Sequence, residues 1–360
     1  MNIPEGNAIV YCQGAFNTTY GKTAHGLVRF TKRYNVLTVI DNNYAGQDAS
    51  FVLDGKEKGI PITGSLYEAV EISKSMNKNP THFVIGLATD GGKLSNEARE
   101  IVKEALEFGL NVDSGLHDFL SDDKQLIKLA AEKNLTIRDV RKPIPRNKLH
   151  FFEGKIEKVN SLKIAILGTD SAIGKRTTAW IIVNALNKKN IKTEMIGTGQ
   201  TAWMQGAKFS LIMDSIVNDF VSGEIEHAVY EAWENEKPKV IIIEGQGSLM
   251  NPAYPGGFEI LAAARPDIVI LQHAPARLEY DGFPGYPLHS IDKQIQAIEL
   301  LSGKPVVAVT INHENLDLNT IPKLCGELKS KFNLPFYDVL LNGADDLVNQ
   351  IINNIPNKAR

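Results

Sequence analysis

Residues 165–180, AILGTDSAIGKRTTAW, bring glycines, a lysine, an arginine and two threonines into the close spacing of a phosphate-binding turn. The Walker pattern places a glycine five positions before its second glycine. Here that position is Thr169, Gly168 stands one residue earlier, and the Ser/Thr slot after the lysine holds Arg176. Such a turn can cradle an anion, because glycines let backbone N–H groups converge and the following helix presents its positive end. Apolar strand, glycine-rich turn, Lys175 and helix follow in the required order. Gly168, Thr169, Asp170, Ser171, Gly174, Lys175, Arg176, Thr177 and Thr178 are therefore the expected phosphate-binding set. A helix start that needs glycine only for packing is the competing structural explanation.

Three more apolar runs end in polar segments: Gly197-Thr-Gly-Gln-Thr201, Glu244-Gly-Gln-Gly247 and Gln272-His273. Ligands of open parallel sheets bind beyond the carboxyl ends of the strands, so these ends are expected to converge with the turn. Glu244 follows KVIII, where it could hold Mg²⁺ through water, accept a proton or cap a helix. Glycines on both sides of Gln246 would let a ligand approach the backbone. His273 suits either a catalytic role or a satisfied strand end, and His25, His289 and His313 share that ambiguity. Asp214 and Asp219 are expected on a helix beside the site, among buried apolar neighbours. Trp203, Tyr254 and Tyr286 could pack on a ligand ring or serve the fold.

The elements that must position these residues are those of an α/β protein. In the first part AIVYCQG, NVLTVID, THFVIGLA and GLNVDSG read as strands, and LYEAVEISKSM and NEAREIVKEALEFG as helices. This is the alternation of a parallel sheet. Asp41 ends the second strand where a ribose-binding acid sits in a Rossmann unit, but no G-x-G-x-x-G is present; Lys22, Thr23 and His25 are weak candidates for lining a cleft. Two prolines and mixed charge in RKPIPRNKLHFFEG break the rhythm, placing a boundary near residue 148. The expected domains are 1–148, Rossmann-like, and 149–360, a second α/β domain with strands LKIAILG, KTEMIG, KVIIIEG, DIVILQH and KPVVAVTIN. Its expected helices include KRTTAWIIVNALNKK, DSIVNDFVSGEIEHAVYEAWENE and HSIDKQIQAIELLSG.

With 360 residues, 43% of them hydrophobic and 22% charged, the chain can build two cores. Its 39 basic and 42 acidic residues balance to −3, which leaves no electrostatic footprint for nucleic acid or an anionic membrane. Cys12 and Cys325 are the only cysteines and suggest neither a disulfide framework nor a metal site. No targeting segment or membrane span is read, so a cytoplasmic location, a small-molecule substrate and a homo-oligomer are expected.

GTDSAIGK together with IIEGQG resembles the loop pair of dethiobiotin synthetase and its P-loop relatives. That resemblance implies a P-loop NTPase-like second domain and a strand-end role for Glu244. Arg176 departs from it, because in those enzymes a Thr after the lysine contacts Mg²⁺; only Thr177 and Thr178 could serve here. The wider set KTAHGLVRF, GTDSAIGKRTTA, GTGQTAW, DFVSGEIEHAV, EGQGSLMNPAYPG and YPLHSI resembles a two-domain family long catalogued only as having a domain of unknown function. Its members include D-glutamate N-acetyltransferases.

The resemblance implies acetyl-CoA as co-substrate, its phosphates on the Lys175 and Arg176 cradle, without metal. It also implies a base such as Glu244 or His273, with Lys175 in the catalytic set. Gln200, Gln246, Asp214, Tyr254 and Arg265, with Arg277 as an alternative to Arg265, are the candidates for holding an amino-acid substrate. Two other classes stay open. One is an ATP- and Mg²⁺-dependent ligase or kinase of the dethiobiotin synthetase type; the other is a non-catalytic nucleotide-binding protein.

Overall fold

The computed structural model describes residues 4–355, in two compact units. The first contains residues up to Pro143 and also Gln200–Ala207; the second contains Ile144–Gly199 and the chain from Lys208 onward. A single boundary near residue 148 does not account for Gln200–Ala207. This segment returns to the first unit because its helix buries Ala202 and Met204, and Gln205 Nε2 donates to the carbonyls of Gly26 and Phe30 at 2.8 Å each.

The first unit is a six-stranded parallel sheet. Its strands are β1 (Gly6–Tyr11), β2 (Tyr34–Ile40), β3 (Ile62–Thr63), β4 (His82–Ile85), β5 (Asn111–Ser114) and β6 (Ile137–Asp139). The order β3-β2-β1-β4-β5-β6 is that of the Rossmann fold. Period-two alternation sends Ile9 and Tyr11 of β1 into one apolar cluster, and Ala8 and Val10 into another on the opposite face. Helices α1 (Lys22–Arg29), α2 (Ala49–Asp54), α3 (Leu66–Ser75), α4 (Asn96–Glu107) and α5 (Lys124–Glu132) supply the partners of these faces. Asp48, Ser65, Ser95 and Asp123 cap α2 to α5 by accepting backbone N–H groups.

The second unit is a seven-stranded parallel sheet of β7 (Leu162–Gly168), β8 (Thr193–Gly197), β9 (Phe209–Ser210), β10 (Val240–Glu244), β11 (Ile268–His273), β12 (Val306–Ile311) and β13 (Phe336–Tyr337). In the order β13-β12-β11-β7-β10-β8-β9, β7 lies between β11 and β10, so three of the polar strand ends are neighbours. β7 and β10 are buried along their whole length, as strands covered on both faces must be. The helices in chain order are α6 (Lys175–Lys188), α7 (Gln200–Met204, in the first unit), α8 (Asn218–Glu236), α9 (Ile291–Ser302), α10 (Ile321–Phe332), α11 (Val339–Asn342) and α12 (Asp345–Asn353). The helix expected from Asp214 starts at Asn218, because Val217 is extended; Asp214 lies in a single 3₁₀ turn. Among the described residues no helix is long and apolar enough to cross a membrane.

Candidate functional site

The turn between β7 and α6 wraps tightly. Gly174 has φ 97°, a region open to glycine, and Ala172 is held at φ 51°. A Cβ on Gly168 would come within 2.9 Å of Lys175 Cδ and 3.0 Å of its Nζ, so the lysine stem packs across a position that must lack a side chain. Lys175 is 7% exposed, and its ammonium donates to the carbonyls of Asp170 (2.6 Å) and Gly247 (2.7 Å). The loop therefore holds a buried cation at the start of a 14-residue helix whose dipole adds positive potential, a setting suited to an anion.

Asp170, fully buried, organises this loop. One oxygen accepts Ser171 N–H (2.7 Å) and Asn251 Nδ2 (2.9 Å); the other accepts Arg277 Nη1 and Asp281 N–H, both at 2.9 Å. Arg277 also donates to Ser171 O (2.9 Å) and Ala172 O (3.4 Å) and pairs with Glu314. One guanidinium thus holds both the buried carboxylate and the carbonyls of the strained segment, which fixes the loop before any ligand arrives.

Around the loop, each neighbouring strand end contributes a polar group. Glu244, at the end of β10, is 4% exposed and accepts Thr198 N–H at 2.9 Å. Burial pushes its carboxyl above the ordinary carboxylate range, opposed by Arg176, the Thr198 N–H and Lys175. Thr198 Oγ1 donates to Glu244 O (3.0 Å) and accepts Gln246 Nε2 (2.9 Å). Gln272 Oε1, buried at the end of β11, accepts the hydroxyls of Thr178 and Thr310, each at 2.6 Å. His273 Nδ1 lies 3.0 Å from Thr169 Oγ1, and burial lowers its pKa to about 4, so the imidazole is neutral at pH 7.

Comparison with known proteins agrees with this architecture. Residues 150–348 match a "domain of unknown function (DUF1611_C) P-loop domain", and residues 42–143 match the DUF1611_N Rossmann-like domain. The chain belongs to the DUF1611 family. A D-glutamate N-acetyltransferase from Pseudoalteromonas sp is 30% identical over 273 residues, covering 74% of this chain and 80% of that protein. A protein of the same name from Tritonibacter scottomollicae is 30% identical over 275 residues, covering 75% and 80%. The crystal structure of a DUF1611 family protein from Anabaena variabilis superimposes with a TM-score of 0.87 at 27% identity, over 97% of this chain and all of that one.

Within this DUF1611 fold the expected residues separate into groups. Gly168–Thr178, Gln246, Glu244 and His273 all belong to the second unit, at the carboxyl ends of adjacent strands. Asp170, however, spends its carboxylate on the protein's own donors, and Thr178 spends its hydroxyl on Gln272. Arg277 is likewise committed to Asp170 and Glu314 rather than open to a substrate carboxylate.

Arg265 precedes β11, which puts it at the amino ends of the strands, opposite to the loop, where it pairs with Glu157. Asp214 and Asp219 are exposed instead of buried: Asp214 lies in the 3₁₀ turn before α8, and Asp219 is in the first turn of α8 on its solvent side. Gln200 lies in the first unit, where a Cβ on Gly115 would meet its Cγ at 2.6 Å. Tyr254 is 57% exposed, and its carbonyl accepts Ser248 N–H and Gly256 N–H.

In the first unit Asp41 is fully buried and accepts Phe16 N–H (2.8 Å) and Asn43 N–H (2.7 Å), so its oxygens serve the turn above β1. Thr23 pairs with Thr201 at 3.0 Å, and His25 packs edge-on against Phe16. Asn251, Asp281 and Glu314 escaped sequence reasoning: Asn251 stands inside EGQGSLMNPAYPG without being singled out, the other two lie in no motif, and their contact with the loop network identifies all three. Gln272 carried the usable signal of a polar residue ending a run of Val and Ile.

Proposed function

We propose that this protein transfers an acetyl group to the amine of an acidic amino acid, D-glutamate, as the names of its two curated relatives suggest, and that acetyl-CoA is the donor. The observation that carries the proposal is the state of the loop. It offers a buried lysine and a helix N-terminus to an anion, while Arg176 fills the slot after the lysine and the Thr178 hydroxyl is already taken by Gln272. A cradle so built suits the pyrophosphate or 3′-phosphate of CoA, which is bound and not hydrolysed. Turnover of D-glutamate would then belong to D-amino-acid breakdown.

The chemistry needs three things of this chain. The ammonium of the amino acid must lose a proton, and Glu244 suits that task because burial raises its proton affinity. The amine nitrogen then attacks the thioester carbon, forming the C–N bond and an oxyanion that backbone N–H groups of the glycine-rich strand ends can stabilise. Collapse breaks the C–S bond, the nitrogen loses the extra proton it carries after attack, and the CoA sulfur, leaving as thiolate, takes that proton up. His273, neutral at pH 7, is the second group able to relay a proton here.

Acetyl-CoA and D-glutamate incubated with the protein should yield free CoA thiol and N-acetyl-D-glutamate; no thiol release with any acidic amino acid overturns the assignment. Lys175→Ala should weaken acetyl-CoA binding by about 10- to 100-fold, the worth of a charge-assisted hydrogen bond to phosphate. An ATP-dependent ligase draws support from one feature, Glu244 buried at the strand end adjoining the loop. Mg²⁺-dependent ADP formation would favour it.

A further inference from the structure

A cavity of about 560 Å³ opens in the second unit between Met250 and Pro252 on one side and the Tyr280–Lys293 segment on the other. Its size is that of a small-molecule site. None of the phosphate-binding residues lines it, yet both of its walls are fastened to the phosphate loop through one carboxylate. Asn251, between Met250 and Pro252, donates to Asp170 Oδ1, and Asp281, next to Tyr280, donates its N–H to Asp170 Oδ2, each at 2.9 Å. Gly247, whose carbonyl holds the Lys175 ammonium, directly precedes Ser248, which faces the Tyr280 side chain. An occupant of this cavity would therefore sit beside whatever the loop binds.

The lining is apolar along the walls, through Met250, Pro252, Tyr286 and Leu288, and polar at specific points. Tyr280, 4% exposed, places its hydroxyl 2.9 Å from His289 Nδ1, and that hydroxyl also faces Gln294 and Ser248. Gln294 and Ser248 are buried behind Tyr280, outside the cavity lining. Of this cluster only Tyr280 and His289 line the cavity, so the Tyr280 hydroxyl is its polar point on the inner wall. At the rim Lys293 supplies an ammonium. Its neighbour Asp292 accepts from Ser290 and the first N–H groups of α9 and also feels the Lys293 charge; Lys293 is the one lysine or arginine among the residues lining the cavity.

We propose that this cavity is the acceptor subsite and takes a small amino acid with a carboxylate at the end of a short apolar stem. Lys293 pairs with the carboxylate, Met250 and Leu288 cover the methylene groups, and the Tyr280 hydroxyl supplies a neutral hydrogen bond at the inner end. The assignment rests on the acetyltransferase reading and adds to it where the amino acid binds.

The test compares the full-length wild type with Lys293→Met and Tyr280→Phe, by steady-state kinetics and by calorimetric titration of D-glutamate in the presence of CoA. Lys293 is exposed, so its replacement leaves the fold intact. Lys293→Met is expected to raise the KM and Kd for D-glutamate about tenfold or more, as loss of a charge-assisted contact does. The KM for acetyl-CoA should stay within about twofold of wild type, the pattern of a lost acceptor contact. A rise in the acetyl-CoA KM instead assigns the cavity to the donor and overturns the proposal, as does the absence of change in either constant. A wild type that binds D-glutamate but releases no CoA defeats the acetyltransferase reading alone; the Kd of the variants then decides the cavity, a weaker Kd supporting it and an unchanged one overturning it. A wild type that binds no D-glutamate overturns the subsite.

Discussion

Both units begin with a strand, a turn and a helix, and the two turns are built to opposite ends. Above β1 the turn runs from Cys12 to Gly21, and Phe16 fills it, 1% exposed, against His25 and Tyr44. Asp41 reaches up from the end of β2 to hold Phe16 N–H. Above β7 the turn is only Thr169–Gly174, it contains no aromatic residue of its own, and Lys175 opens the helix. Each turn depends on a buried carboxylate, but Asp41 closes its own turn from the neighbouring strand, whereas Asp170 lies inside its turn and gathers Asn251, Arg277 and Asp281 around it. The lesson is that Rossmann-type topology provides the place for a ligand, while the filling of the first turn decides whether the place is kept open.

Replacing the keystone of each turn should separate the two cases most sharply. Arg277→Met leaves the Asp170 carboxylate buried without its cation and should cost about 3 kcal/mol. Phe16→Ala should cost a similar amount, about 3–5 kcal/mol, through the cavity it leaves. Hydrogen exchange should localise the first loss to β7 and β11 and the second to β1 and β2, and only Arg277→Met should also lower affinity for acetyl-CoA. Equal loss of affinity in both variants would erase the distinction between a closed turn and an open one.

A smaller effect tests His273. Its folded pKa of about 4 lies below the ordinary histidine value, so between those values the unfolded chain binds more protons. Stability should therefore fall as pH drops from about 6.5 toward 4, by up to about 3 kcal/mol, and His273→Asn should flatten this slope in urea titrations at several pH values. The smallest effect has the opposite sign. Glu244 has a raised pKa in the folded state, so its ionised form costs stability as pH rises through that value. Glu244→Gln keeps an acceptor for Thr198 N–H and should raise stability at pH 7 by about 1 kcal/mol while abolishing transfer, since the base is gone. An active Glu244→Gln enzyme would move the role of base to another residue.

Much of this molecule was legible along the chain. Runs of Val and Ile mark β7, β10, β11 and β12, and the order of strand, glycine turn, lysine and helix marks the loop, because each signal is local. Short edge strands such as β9 and β13, two residues each, carry no such signal. The helix expected from Asp214 was misjudged because amphipathic spacing continued past Val217, where the backbone is extended.

By itself, then, the sequence determined two parallel α/β units, the glycine-rich loop of the P-loop domain and the strand ends that surround it. Tertiary structure alone decided which of those residues remain available. Arg277 stands 107 positions from Asp170 and Asp281 stands 111, and no local pattern predicts that their charges and N–H groups will be spent on it. The same holds for α7, which follows β8 yet packs in the first unit, and for the cavity at Tyr280 and Lys293. Periodicity records how much surface an element buries; the partner of a buried polar group depends on which loops the sheet order brings together.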